Sequence, residues 1–168
     1  MSETIQFELD GIPAEAALGE SIWQVAARLG TVLPHLCHTE ESGYRADGNC
    51  RACMVEIDGE RVLAPSCRRQ PEAGMVVKTA SARALQSRVL VMELLLADQP
   101  GRGETHDPDS LFWHWAETQG VESSRFPRRA TKPKCDNSHP AMQVNLDACI
   151  QCNLCVQACR EVQVNDVI

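Results

Sequence analysis

Apolar and polar positions alternate in short runs over the first eighty residues, as they do in β-strands. The run TIQFEL ends at Asp10-Gly11, a dipeptide that favours a tight hairpin turn, so a second strand is expected in IPAEAAL. Two more runs, CMVEI and RVLAPSC, flank Asp58-Gly59, and MVVKT adds a last strand. These patterns predict a small open sheet within residues 1–80.

Helical spacing indicates two helices, one inside this unit and one after it. The first covers SIWQVAARLG, where Ser21 and Gln24 form a capping box and Gly30 fits the position past the helix end. The second covers residues 81–98, with Ser81 as its cap. Its apolar residues are spaced by four, three and four positions, at Leu85, Val89, Met92 and Leu96.

Beyond residue 98 the periodic signal weakens. Asp107-Pro108 is a good helix start, and we expect a third helix from there to Gly120, with one of Trp113 and Trp115 in the core and the other facing a partner. Residues 121–141 lack a period and are predicted to be an irregular connector. The tail REVQVNDVI is predicted to begin a strand.

Charge and hydropathy exclude several classes of protein. The net charge of −7 over 168 residues disfavours nucleic acid as a partner. The most apolar run, residues 89–97, is too short to span a membrane and contains Glu93. The first residues lack a secretory signal pattern. We therefore expect a cytoplasmic protein without a membrane span, whose thiols are kept reduced.

Nine cysteines in a reducing compartment are better explained as metal ligands than as disulfides, and their odd number agrees with this. Cys135 stands alone between two groups. The first group is Cys37, Cys50, Cys53 and Cys67, and the second is Cys149, Cys152, Cys155 and Cys159. We expect two metal sites on separate supports.

The spacing of the first group fits either a tetrahedral zinc ion or a [2Fe–2S] cluster. Small residues around the inner pair, such as Gly48 and Ala52, let backbone N–H groups approach, which suits the charged sulfides of a cluster. A sheet packed on one helix fits the plant-type [2Fe–2S] ferredoxin fold, also called β-grasp. His38 is either a hydrogen-bond donor near the cluster or a plain surface histidine.

The runs LPHLCH, GNCRACMVE and LAPSC resemble the N-terminal ferredoxin domain of the large iron–sulfur subunit of respiratory complex I. They are equally similar to the matching domains of NAD-reducing hydrogenases and of molybdenum-dependent, NAD-linked formate dehydrogenases. The resemblance implies that all four thiols of the first group ligate a [2Fe–2S] cluster.

One departure separates this chain from two of those families. In complex I and the hydrogenases, a histidine and three cysteines after the second helix hold a [4Fe–4S] cluster, but here Cys67 and Cys135 have no cysteine between them. His106 and His114 are present, and a helical or capping role suits them better than ligation. The stretch LADQP…HD…FW…SRFP…SHPAM resembles a subgroup of formate dehydrogenase alpha subunits.

The second thiol group has the C-x2-C-x2-C-x3-C spacing of bacterial [4Fe–4S] ferredoxins. In two-cluster ferredoxins the last cysteine of such a run ligates the other cluster, and no second run follows. Three accounts stay open: the chain is a fragment of a longer protein, Cys159 completes a single cluster locally, or Cys135 returns as the fourth ligand. We favour the first.

The sequence thus predicts an α+β protein. Residues 1–80 form a [2Fe–2S] ferredoxin domain, 81–141 a helical segment and connector, and 142–168 the start of a bacterial-type [4Fe–4S] domain that is expected to be truncated. The resemblance implies electron transfer between a molybdopterin site that oxidises formate and a flavin/NAD subunit, alongside further iron–sulfur subunits. The alternatives are a hydrogenase diaphorase subunit and a zinc-binding structural or adaptor protein. No catalytic residue is assigned.

Overall fold

A five-stranded sheet organises the N-terminal half of the computed structural model, which describes residues 4–166. Its spatial order is β2-β1-β5-β3-β4. Strand β1 runs parallel to β5, and the other neighbours are antiparallel. The strands are β1 (Thr4–Leu9), β2 (Ile12–Ala17), β3 (Met54–Ile57), β4 (Ala64–Pro65) and β5 (Val76–Lys78).

The two predicted hairpins form, with different connections. Asp10 and Gly11 have φ angles of 51° and 82° and join β1 directly to β2, which matches the twist of paired strands. Strands β3 and β4 also pair, but a longer loop through Asp58-Gly59 joins them. The run predicted as the last strand, β5, lies at the centre of the sheet.

Helix α1 (Ile22–Arg28) covers this sheet. Its capping box is present as predicted, because Ser21 and Gln24 exchange hydrogen bonds between side chain and backbone. At the other end, Thr31 N–H donates to the Ala26 carbonyl at 2.8 Å and Gly30, with φ +83°, follows the last turn. The core beneath it includes Phe7, Leu9, Ile22, Val25, Val55 and Val77.

Helix α2 (Ala82–Asp98) starts at the predicted cap Ser81, but its buried face differs from the predicted one. Met92 and Leu96 are buried, whereas Leu85 is 47% exposed and Arg88 is 5% exposed. Arg88 donates from Nε to the Met54 carbonyl at 2.9 Å and from its guanidinium to the Thr79 carbonyl. The helix is therefore tied to the sheet through a buried cation.

Helix α3 (Leu111–Thr118) begins after Ser110, later than the predicted start at Asp107-Pro108. It ends before Gly120, as predicted. Trp113 and Trp115 are both buried, so the expectation that one would face a partner was wrong. The Arg102 guanidinium lies over Trp113 at 5.8 Å, and Trp115 contacts the His35 ring at 5.8 Å, which explains why neither indole reaches the surface.

The last part of the described chain holds a small hairpin of β6 (Asp136–His139) and β7 (Met142–Val144), so the stretch predicted to be irregular contains a strand. A 3-10 turn and helix α4 (Leu154–Gln157) follow. Ala158–Val162 form a π-helical turn, so the predicted strand there was wrong; its last two residues lie outside the described ones. Within residues 4–166, none of the helices has the length and apolarity needed to cross a membrane.

Candidate metal centres

The first thiol group is buried at one edge of the sheet. Cys37 follows α1, Cys50 and Cys53 precede β3, and Cys67 follows β4, with exposed fractions between 0% and 8%. The Cys37 sulfur accepts hydrogen bonds from the Cys50 and Cys67 thiols, and the Cys53 sulfur accepts one from Cys67. Residues up to thirty positions apart in sequence thus meet in one set of sulfurs.

Backbone N–H groups point at these sulfurs, as the small neighbouring residues predict. The Cys50 N–H lies 3.4 Å from the Cys37 Sγ, and the Ala52 N–H lies 3.5 Å from the Cys50 Sγ. Ala52 is fully buried. Such donors stabilise negative charge on sulfur, whether on a thiolate or on a cluster.

Two left-handed residues shape the loop that carries the inner pair. Gly48 has φ +70°, and a Cβ there would lie 3.1 Å from the Arg68 Cδ, so glycine is needed for both conformation and space. Arg51, between Cys50 and Cys53, has φ +57°. A non-glycine residue in this region costs roughly 1–2 kcal/mol, which the packing around the loop must offset.

The four thiols divide into two pairs by proton affinity. Hydrogen bonds from Cys50 and Cys67 lower the pKa of Cys37, and a hydrogen bond from Cys67 lowers the pKa of Cys53. The same hydrogen bonds, together with burial, raise the pKa of Cys50 and Cys67. Metal binding resolves this sharing of protons, because every ligating thiol is then deprotonated.

The donor set fits a cluster of two irons. Each iron of a [2Fe–2S] centre takes two thiolates, so four buried sulfurs with backbone donors suffice. Among residues 4–166, no three histidine, cysteine or carboxylate side chains converge as a single metal ion would require. The paired contacts of Cys37, Cys50, Cys53 and Cys67 do not need such convergence.

His38 sits directly beside this site. Its side chain is 9% exposed, and neither ring nitrogen has a hydrogen-bond partner among the described residues. Its ring packs against Trp23, with centroids 4.7 Å apart, and burial lowers its pKa. The surface alternative for His38 was therefore wrong.

The terminal thiols are far more accessible. Cys149 and Cys155 are exposed, while Cys152 and Cys159 are half-buried. Left-handed residues again turn the loop, namely Gln151 with φ +55° and Asn153 with φ +70°, and the Gln151 N–H lies 3.4 Å from the Cys149 Sγ. Burial raises the pKa of Cys152, and the charges of nearby Cys155 and Cys149 add to this effect.

The other candidate ligands lie apart from these loops. Cys159 follows in the π-helical turn, and Cys135 is exposed just before β6. The His114 ring contacts the Trp115 ring at 4.9 Å, as its expected helical role implies. His106 lines a cavity of about 240 Å³ together with Leu36, Phe112 and Ile150.

The two thiol groups adjoin each other, which sequence reasoning did not foresee. Ile150 and Cys152 pack against the buried cluster that contains Leu36, Cys37 and Cys50. A cavity of about 530 Å³ lies between the groups, and its lining includes Cys50 and Cys149. The terminal run is thus seated on the first site rather than on a support of its own.

A polar junction that sequence reasoning also missed joins the same two loops. The Gln157 side chain is 1% exposed and hydrogen-bonds to Arg45 and Asp47, more than a hundred residues earlier. Asn153 donates to the Asp47 carboxylate as well, which lowers the pKa of Asp47. Each of these residue types is ordinary on a protein surface, so the sequence holds no signal for the pairing.

Comparison with known proteins adds a domain match and several relatives. Residues 2–82 match the model of the 2Fe-2S iron-sulfur cluster binding domain. The chain is 32% identical over 167 residues to the second G-type chain of the NADH-quinone oxidoreductase of Rhizobium meliloti (strain 1021), covering 94% of this chain and 19% of the relative. It is 30% identical over 169 residues to the HndD chain of the NADP-reducing hydrogenase of Solidesulfovibrio fructosivorans, covering 95% of this chain and 28% of the relative.

A solved structure is similar over most of the fold. The crystal structure of an NAD+-reducing [NiFe]-hydrogenase in the H2-reduced state contains a chain that superposes with a TM-score of 0.78 at 28% identity. The match covers 92% of this chain and 65% of that one. The chain spans only 19% and 28% of the lengths of the two curated relatives described above.

Proposed function

From the 2Fe–2S cluster binding domain in residues 2–82, we propose that this chain is an electron-transfer module of an NAD-linked oxidoreductase. The observation that carries the proposal is the seating of one thiol loop on another, with Cys152 packed against the cluster of Cys37 and Cys50. Two adjacent sets of sulfur ligands suit a relay of electrons. None of the described groups is assigned to bond-making chemistry.

In this proposal the first group holds a [2Fe–2S] cluster. Cys37, Cys50, Cys53 and Cys67 are the ligands, and the bound centre supplies one-electron oxidation and reduction. The chain's own contribution is to bury the sulfurs, to aim the N–H groups of Cys50 and Ala52 at them, and to exclude water from the site. These features raise the affinity of the site for electrons.

The terminal group, in the same proposal, binds a [4Fe–4S] cluster. Cys149, Cys152 and Cys155 lie close enough together for their charges to interact, and Cys159 follows on the π-helical turn. Their spacing is the bacterial ferredoxin one. The exposure of Cys149 and Cys155 leaves room for a partner or for further chain to cover this side.

For the electron donor we propose formate, oxidised at a molybdopterin site in the same assembly, with a flavin/NAD subunit as acceptor. The support is the region after α2, where the complex I and hydrogenase families carry a histidine and three cysteines. Here Phe112, Trp113 and Trp115 pack into the interior instead. The hydrogenase alternative is supported by the similarity to the NAD+-reducing [NiFe]-hydrogenase structure.

Metal analysis of the anaerobically purified chain tests the module itself. We expect about six irons per chain, two from the first site and four from the terminal one, with brown colour and a paramagnetic signal on reduction. The variant Cys53→Ser should lose about two irons and Cys155→Ser about four. Zinc in place of iron would show that the thiols form a structural site and would end the proposal.

The choice between formate and hydrogen needs the native assembly. We expect the complex purified from its source to contain molybdenum and to reduce NAD+ with formate. A complex that contains nickel and reduces NAD+ with hydrogen would replace the formate proposal with the hydrogenase one. The electron-transfer proposal for this chain would stand in either case.

A further inference from the structure

One buried side chain fixes the terminal thiol segment to the first thiol site. Gln157 ends helix α4 and is 1% exposed. Its Oε1 accepts a hydrogen bond from the Arg45 N–H at 3.0 Å, and its Nε2 donates to the Asp47 Oδ2 at 2.9 Å. Both ends of the amide are thus used, and removing it leaves buried polar groups without partners.

A ring of polar contacts surrounds this amide. Asn153 Nδ2 donates to the same Asp47 oxygen at 2.7 Å, and Arg45 Nε lies 2.9 Å from the other one. The Arg45 guanidinium also pairs with Glu161. The Asp47 side chain is only 13% exposed, so its charge is held largely by these donors and not by water.

The junction joins the two ligand loops directly. Arg45 and Asp47 belong to the segment that leads into Cys50, while Asn153 and Gln157 lie on either side of Cys155. Its contacts do not pass through α2 or through the connector. A change at Gln157 therefore alters the placement of one thiol group relative to the other and leaves the sheet beneath the first group intact.

We propose that Gln157 is a positioning residue that sets the separation between the two clusters. This inference rests on the proposed function. A single electron leaves one centre and enters the other with no bond made or broken, so its rate depends on the distance and rigidity between them. Gln157 supplies that rigidity through Arg45 and Asp47.

Three variants of the full chain test this proposal. Gln157→Leu keeps the size of the side chain and removes its hydrogen bonds, and Gln157→Glu places a carboxylate against Asp47. The double variant Asp47→Asn with Gln157→Glu exchanges donor and acceptor, so it should restore the contact. Gln163→Leu, on an exposed glutamine of the same segment, is the matched control.

Two measurements are read together on the cluster-loaded protein. Hydrogen exchange of the peptide containing the Arg45 N–H should become about tenfold faster in Gln157→Leu, faster still in Gln157→Glu, and normal in the double variant and the control. The magnetic interaction between the two reduced centres, seen as broadening of the [2Fe–2S] signal, should weaken and recover in the same order.

The outcomes separate this inference from the function on which it rests. A parent protein without iron overturns the proposed function. A parent with both centres, whose Gln157→Leu variant keeps its exchange rate, overturns the positioning role. Faster exchange with an unchanged magnetic interaction also overturns it, because Gln157 would then be a structural contact without influence on the cluster separation.

Discussion

Both thiol loops turn the chain with left-handed residues, Arg51 in the first and Gln151 and Asn153 in the second, yet their surroundings differ. The first group is at most 8% exposed and is framed by the sheet and α1. The second lies on a four-residue helix and a π-helical turn, with two of its thiols open to solvent. The same local device thus serves one site built from long-range structure and another that depends on its neighbour.

This difference predicts a one-way dependence between the sites. The terminal segment rests on the loop of the first site, through Ile150 and Cys152 and through the Gln157 junction, whereas the first site rests on its own sheet. Damage to the first site should therefore reach the second. Damage to the second should stay local.

The largest effect is expected from Cys53→Ser compared with Cys155→Ser. Losing a buried ligand should abolish the [2Fe–2S] signal and also speed hydrogen exchange in residues 149–162, because their support loosens. Cys155→Ser should remove the terminal centre and leave the [2Fe–2S] signal unchanged. Paramagnetic spectra and hydrogen exchange of both variants check this, and an equal effect in both directions would refute the one-way dependence.

The next effect concerns the buried cation that supports the first site. Arg88→Met removes the donors to the Met54 and Thr79 carbonyls and should lower the free energy of unfolding by about 3 kcal/mol. Arg83→Met, on the same helix but 47% exposed, should lower it by less than about 1 kcal/mol. Denaturant titration measures both, and similar values would contradict an anchoring role for Arg88.

A smaller effect is expected at Gly43, where the two regions touch. Gly43 has φ +90°, and an added Cβ would lie 3.2 Å from the Val162 Cγ2, so Gly43→Ala should cost about 1–2 kcal/mol. Gly74→Ala has a similar φ and open space around it. Both should destabilise the protein, but only Gly43→Ala should speed hydrogen exchange in residues 158–162.

The smallest effect is expected from the connector. Arg129 pairs with Asp147 at 2.8 Å and ties the connector to the 3-10 turn before the terminal thiols, with side chains 28% and 16% exposed. Arg129→Gln should lower the free energy of unfolding by about 0.5–1 kcal/mol and make the connector easier to cleave by protease. Arg128→Gln, at the exposed neighbour, should change neither quantity.

Local signals made parts of the fold predictable from the sequence. The turn at Asp10-Gly11 and the capping box of Ser21 and Gln24 depend on neighbouring residues alone, and both form as predicted. The first four thiols could be grouped in advance because their spacing and small neighbours follow from what a buried sulfur set needs. The match of residues 2–82 to a 2Fe–2S domain agrees with that grouping.

Features that depend on distant partners were not predictable. Arg88 faces inward because two free carbonyls await it, although the periodicity favoured Leu85. Both Trp113 and Trp115 are buried because Arg102 and His35 meet them from other segments. Gln157 pairs with Asp47 across 110 positions, and no local pattern distinguishes it from a surface glutamine.

The central position of β5 has a consequence for biosynthesis. All four cysteines of the first group precede this strand in the sequence, and β1 and β3 have no place to pair until it is made. During translation the sulfurs therefore emerge from the ribosome before the sheet can enclose them. The machinery that delivers iron and sulfide has access to these thiols in the nascent chain, and completion of the sheet then seals them in.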